Sequence, residues 1–213
     1  MKEILSYGCP DSSNVLIQLV DDYSLEIMGS EVDAIMASSQ DDFQLIAVKV
    51  ERWNHDLSPW KAPAVFGTEP FGDGASDTLK KVLTLTGEPG KEYYIGGYSL
   101  AGLFALWAVY QTDTFQGAAA ASPSVWFPGF LDYMESMPIN TGKVYLSLGD
   151  REARTRNPVM ATVGDRIRET HSLLLERNVA CTLEWNPGNH FKEPELRTAK
   201  AFSWLLLNGK KRK

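Results

Sequence analysis

From Asn14 onward, short apolar runs of β character alternate with stretches of helical periodicity, and this alternation narrows the possible folds most. The runs are VLIQLV (15–20, preceded by Asn14), FQLIAVKV (43–50), YYIGG (93–97), GAAAAS (117–122), KVYLSL (143–148) and CTLEW (181–185). Between and after them lie helical stretches at 29–39, 75–87, 100–111, 158–178 and 194–208. Several runs lack clean polar alternation, as strands do when helices cover both faces of a parallel sheet. The expected fold class is therefore α/β, with a mostly parallel, doubly wound sheet of six to seven strands and helices on both faces. A chain of 213 residues, 44% of them hydrophobic, is long enough for one core, so a single domain over 1–213 is expected. The fourth helical stretch has the clearest start. Asn157-Pro158 supplies an N-cap followed by proline in the first helical position, and Val159, Val163, Ile167 and Leu174 form one apolar stripe. Gly164 weakens this helix modestly, and His171, at the edge of the stripe, reads as a structural or surface histidine.

Charge and cysteine usage exclude several functions. The net charge of −6 argues against a broad nucleic-acid or anionic-membrane footprint. The one basic block, within the tail 209–213, follows Asn208-Gly209, a helix stop, and reads as a solvated tail, with an acidic partner as the alternative. No apolar stretch reaches the length of a membrane span, and MKEILSYGCPDSS lacks the sustained apolar core of a secretory signal. Cys9 and Cys181 are the only cysteines, without a CxxC, so no disulfide framework and a cytoplasmic location are expected. His55, His171 and His190 lie far apart with no metal-ligand spacing, so no metal is expected.

Two connections are unusually long. Residues 51–76 carry Trp53, Trp60, Phe66 and Phe71 among several prolines, and residues 122–142 carry SPSVWFPGF. Long loops in compact domains are functional or disordered, and disordered ones are poor in aromatics. Both are expected to be ordered over a site, although core packing explains any single aromatic among them.

The segment IGGYSLAGLF (95–104) places Ser99 between a strand and a helix, where ligands bind in doubly wound sheets. A sharp strand-to-helix turn there exposes the hydroxyl and demands small residues two positions either side, which Gly97 and Ala101 satisfy. A serine N-cap would suit the same position equally well, so the partners decide. A serine nucleophile needs a base and an orienting acid, in this fold type in the order Ser, acid, His, each after a strand. GDRE (149–152) offers Asp150 and Glu152 after one strand; NPGNHF (186–191) offers His190 after the next. Glu152 has the longer reach and is preferred; Asp150, well placed to cap its own turn, is the alternative.

These motifs resemble the esterase D-like and siderophore-esterase-like group of the α/β-hydrolase superfamily. GYSLAGLFAL (97–106) is similar to its elbow, ASPSVWF (121–127) to its S-P-S-x-W-W segment, and GDRE to its glycine-x-x-acid motif. GNHF (188–191) is similar to its closing motif and LVDDYS (19–24) to its oxyanion turn. The resemblance implies a three-layer α/β-hydrolase fold, with Ser99 as nucleophile, Glu152 as acid and His190 as base. It also implies oxyanion donation by the backbone amides of Leu100 and Tyr23. Three positions depart from the pattern: Ala101 replaces a glycine, Asp22 stands at the usual glycine of the oxyanion turn, and Tyr98 replaces a histidine, a change of packing more than of chemistry.

The expected activity is hydrolysis of carboxylic esters of small molecules through an acyl-enzyme, with no cofactor. Trp53, Trp60, Trp126 and Phe127 are expected to line an apolar substrate pocket. Each oxyanion donor would contribute roughly 3–4 kcal/mol to the barrier. The same groups also suit a thioesterase or acyltransferase, and Asp22 leaves open a non-catalytic binding module of the same fold.

Overall fold

The computed structural model describes residues 3–39 and 41–208. In chain order they form β1 (Ile4–Gly8), β2 (Asn14–Val20), α1 (Asp22–Glu26), α2 (Met28–Ser38), β3 (Gln44–Lys49), α3 (Trp53–Asp56), α4 (Ala75–Leu83), β4 (Glu92–Tyr98), α5 (Leu100–Gln111), β5 (Phe115–Ala121), α6 (Phe130–Ser136), β6 (Lys143–Gly149), α7 (Val163–Glu176), β7 (Ala180–Asn186) and α8 (Pro194–Leu207). The strands make one sheet in the order β1-β3-β2-β4-β5-β6-β7, with β1 antiparallel to β3 and every other pair parallel.

The sheet separates two cores, and the period-2 geometry of its strands sorts side chains between them. Val15, Ile17, Leu19, Ile95, Ala118, Ala120, Val144 and Leu146 face the side covered by α4, α5, α6 and α7. Leu16, Val20, Tyr94, Ala119, Ala121 and Tyr145 face the side covered by α2 and α8. Burial on both faces is why the central strands read as unbroken apolar runs. Helix α5 is buried from Leu100 to Tyr110, as expected of a helix that is apolar all round.

The strands and helices lie close to the stretches read from periodicity, with four differences. Strand β1 was not expected; it is a half-exposed edge with too few apolar residues to register. Helices α1, α3 and α6 fall in segments expected to be loops, each seven residues or fewer and so without a full periodic signature. Helix α4 ends at Leu83 rather than 87. The fourth long helix starts at Val163: Asn157 Oδ1 does accept from the amides of Val159 and Met160, at 3.0 and 3.2 Å, but what it caps is a 3₁₀ turn over Met160–Thr162. The basic tail 209–213 lies outside the described residues. Among the described residues, no helix is long and apolar enough to cross a membrane.

Behind the C-terminal half of β2, Gln18 donates through Nε2 to Glu31 Oε2 of α2 at 3.2 Å, and both residues are 2% exposed. Burial pushes the Glu31 carboxyl up to about 8, against the hydrogen bond from Gln18 and with help from the Glu195 charge. The folded protein therefore keeps this proton while the unfolded chain releases it, and stability falls as pH rises from the ordinary carboxylate range toward 8. The Glu31→Gln variant should be more stable than the parent at pH 7, by up to about 3 kcal/mol. The difference should vanish near pH 4.5; urea titrations at the two pH values measure it.

Candidate active site

The crevice of a doubly wound sheet opens where strand order reverses. Here β2 lies between β3 and β4, so the loops leaving the C-terminal ends of β2 and β4 flank that crevice. The β2 loop carries Asp21, Asp22 and Tyr23, and the β4 turn carries Ser99.

Ser99 adopts φ 59° and ψ −120°, a conformation that costs a non-glycine residue free energy and that flanking packing must hold. Three backbone bonds hold it: its amide donates to Ala121 O at 3.1 Å, and its carbonyl accepts from the amides of Leu103 and Ser124 at 3.0 and 3.1 Å. A Cβ on Gly97 would stand 2.6 Å from that of Ala101, so the turn leaves no room for a larger residue at position 97. Ser99 occupies the N-cap position of α5, yet its hydroxyl makes no capping bond. It lies instead 3.0 Å from Nε2 of His190 and 3.4 Å from the hydroxyl of Ser124.

His190 Nδ1 lies 2.6 Å from Oε2 of Glu152, whose side chain is 4% exposed. The other oxygen, Oε1, accepts from the amide of Gly149 at 2.6 Å, the hydroxyl of Ser122 at 2.8 Å and Nη1 of Arg197 at 2.8 Å. An ionised carboxylate suits four such neighbours, and it makes Nδ1 the donor, leaving Nε2 free to accept from Ser99. Asp150 does not reach His190; its Oδ1 accepts from the amide of Gly188 at 2.8 Å and so closes the turn before the histidine.

Tyr98 does more than pack. Its hydroxyl donates to the carbonyl of His190 at 2.7 Å, and its ring lies 5.0 Å from the imidazole. Burial, and then the Glu152 charge, push its phenol up to about 12, which keeps it a donor.

Leu100 begins α5 and Tyr23 lies in α1, and neither amide finds an acceptor among the described residues. Asp21 caps the N-terminus of α1, its Oδ1 accepting from the amide and hydroxyl of Ser24 at 2.8 and 2.7 Å. The carboxylate of Asp22 turns outward to pair with Lys49.

Two cavities meet at Ser99 and His190. One, of about 240 Å³, is lined by Gln18, Asp21, Tyr23, Ser24 and Tyr98 among others. The second, of about 330 Å³, has apolar walls from Phe66, Pro123, Trp126, Met160 and Val163. Trp53 and Phe191 line both. Of the four aromatics expected at a pocket, Trp53 and Trp126 line these cavities. Trp60 and Phe127 do not: they pack on each other at 5.6 Å, with Phe130 and Tyr133 against Trp60, Phe127 within the core and Trp60 half-buried against it. Phe66 was noted in its loop but not assigned to the pocket, and Phe191 and Arg197 were not singled out. The first two were hidden because an isolated aromatic in a loop says nothing of its direction. Arg197 was hidden because it sits in the first turns of a helix, far along the chain from the residue it touches.

No protein-family model and no curated protein sequence matches the chain. Solved structures do match it in shape. It is similar to the siderophore hydrolase EstA of Aspergillus nidulans at 17% identity, with a TM-score of 0.67, covering 96% of this chain and 94% of that one. It is similar to an IroE-like serine hydrolase of Shewanella oneidensis at 13% identity, with a TM-score of 0.75, covering 97% of this chain and 76% of that one. The enterobactin esterase FES of Shigella flexneri matches at 11% identity and a TM-score of 0.66, covering 97% of this chain and 56% of that one. Likeness at such identities speaks for architecture, and together with the sheet order and the flanking helices it shows that the chain has the α/β-hydrolase fold.

Proposed function

We propose that this protein is a serine hydrolase that cleaves carboxylic esters of small molecules through an acyl-enzyme. The reading rests on one observation: three residues from separate loops meet in a relay of 3.0 and 2.6 Å that starts at a serine held in a strained turn. Ser99 Oγ bonds to the ester carbon and passes its proton to His190 Nε2, while Glu152 holds the imidazolium from the other side. The amides of Leu100 and Tyr23 receive the negative charge on the carbonyl oxygen. The carbon–oxygen bond to the alcohol then breaks, and His190 returns the proton to the departing alkoxide. Water attacks the acyl-enzyme by the same steps, releasing the acid and restoring Ser99.

The match to esterases named for siderophore and enterobactin substrates supports an ester over other acyl compounds. The paired cavities suit an ester with one apolar group against Phe66, Trp126, Met160 and Val163, and a second, more polar group near Gln18, Asp21 and Ser24. Among the described residues, no lysine or arginine lines either cavity.

A fluorophosphonate probe should label the protein at Ser99, and a series of p-nitrophenyl esters should be cleaved with a preference for acyl chains longer than acetyl. An unlabelled protein that cleaves none of them would refute the reading.

A further inference from the structure

We infer that Arg197 is a positioning residue for ester cleavage: its guanidinium ties the acid Glu152 and the loop bearing His190 into one rigid unit. This inference rests on the serine-hydrolase reading above, and it concerns a residue that no catalytic motif contains.

The guanidinium is 3% exposed and sits at the start of α8, where it makes five contacts. Nη1 donates to Glu152 Oε1 at 2.8 Å, to the Tyr98 hydroxyl at 3.1 Å and to the Ser122 hydroxyl at 3.2 Å. Nη2 donates to the carbonyls of Asn189 and Pro187 at 3.0 and 3.3 Å. One side of the fork therefore grips the carboxylate and the other grips the backbone on the N-terminal side of His190. Tyr98, itself held by Arg197, binds the carbonyl of His190. The separation of acid and base then depends on a rigid planar group rather than on two loops meeting by themselves. A buried arginine is costly unless its donors are engaged, and here both Nη groups are, spread over the two parts whose spacing the proton relay needs.

Two substitutions separate the fork from the charge. Arg197→Lys keeps the cation but cannot span all five partners; kcat should fall about tenfold to a hundredfold, with KM little changed. Arg197→Met removes both; kcat should fall further, again with KM little changed. Fluorophosphonate labelling rates of the two variants provide the same readout independently of the ester chosen. Wild-type kcat in a folded Arg197→Met protein, or a rise in KM in place of the fall in kcat, would overturn the positioning role. If Arg197→Met does not fold, wild-type kcat in Arg197→Lys alone overturns the positioning role. A wild-type protein that neither reacts with the probe nor cleaves esters removes the hydrolase reading itself, an outcome distinct from either.

Discussion

Ser99→Ala is expected to lower ester turnover by about a million-fold, since the nucleophile of such a relay acts as a unit with its base. The fold should not notice. The hydroxyl makes no capping bond, and among the described residues its only partners are His190 and Ser124. The strained φ of 59° is as unfavourable for alanine as for serine, so backbone strain is unchanged. The three backbone bonds that hold the turn use main-chain atoms and remain. Kinetics with a p-nitrophenyl ester, beside a thermal melt of both proteins, tests both halves: appreciable turnover by the variant would eliminate Ser99 as nucleophile.

Glu152→Gln should cost about ten-thousand-fold in kcat, and the hydrogen bonds around the carboxylate explain why. Three donors converge on Oε1: the Gly149 amide, the Ser122 hydroxyl and Arg197 Nη1. A glutamine must turn its carbonyl oxygen toward them, because its amino group there would face donors with donors. Its amino group then faces His190 Nδ1, which becomes an acceptor, and the ring proton moves to Nε2. An imidazole protonated on Nε2 cannot take a proton from Ser99. The variant should also be less stable by roughly 3–5 kcal/mol, because Arg197 loses its buried counter-charge. Turnover and urea midpoints measure the two effects; near-normal activity would mean that Glu152 does not set the tautomer.

The elements that were read correctly from the sequence were those whose signal is local. Strands β2 to β6 are apolar because both faces are covered, β7 is a half-buried edge that keeps its β-type residues, and α5 is one unbroken apolar stretch of helical length. The elements that were missed lacked such a signal. Strand β1 alternates between exposed and half-buried residues on a sheet edge, and α6 is one short amphipathic stretch behind a left-handed Gly129. At the site, Ser99, Glu152 and His190 were legible because each must follow a strand, so chain order restricts where they can occur.

The sequence by itself determined the alternating architecture and pointed to Ser99, Glu152 and His190 as candidates, because strand burial and strand-end loops leave marks within a few residues. Only the tertiary structure decided that Phe127 belongs to the core with Trp60 packed against it, that Phe66 and Phe191 face the cavities, and that Arg197 reaches Glu152 from 45 positions away. Side-chain direction and long-range hydrogen bonds depend on how loops and helices settle on the sheet, and the pattern of neighbouring residues carries no record of that.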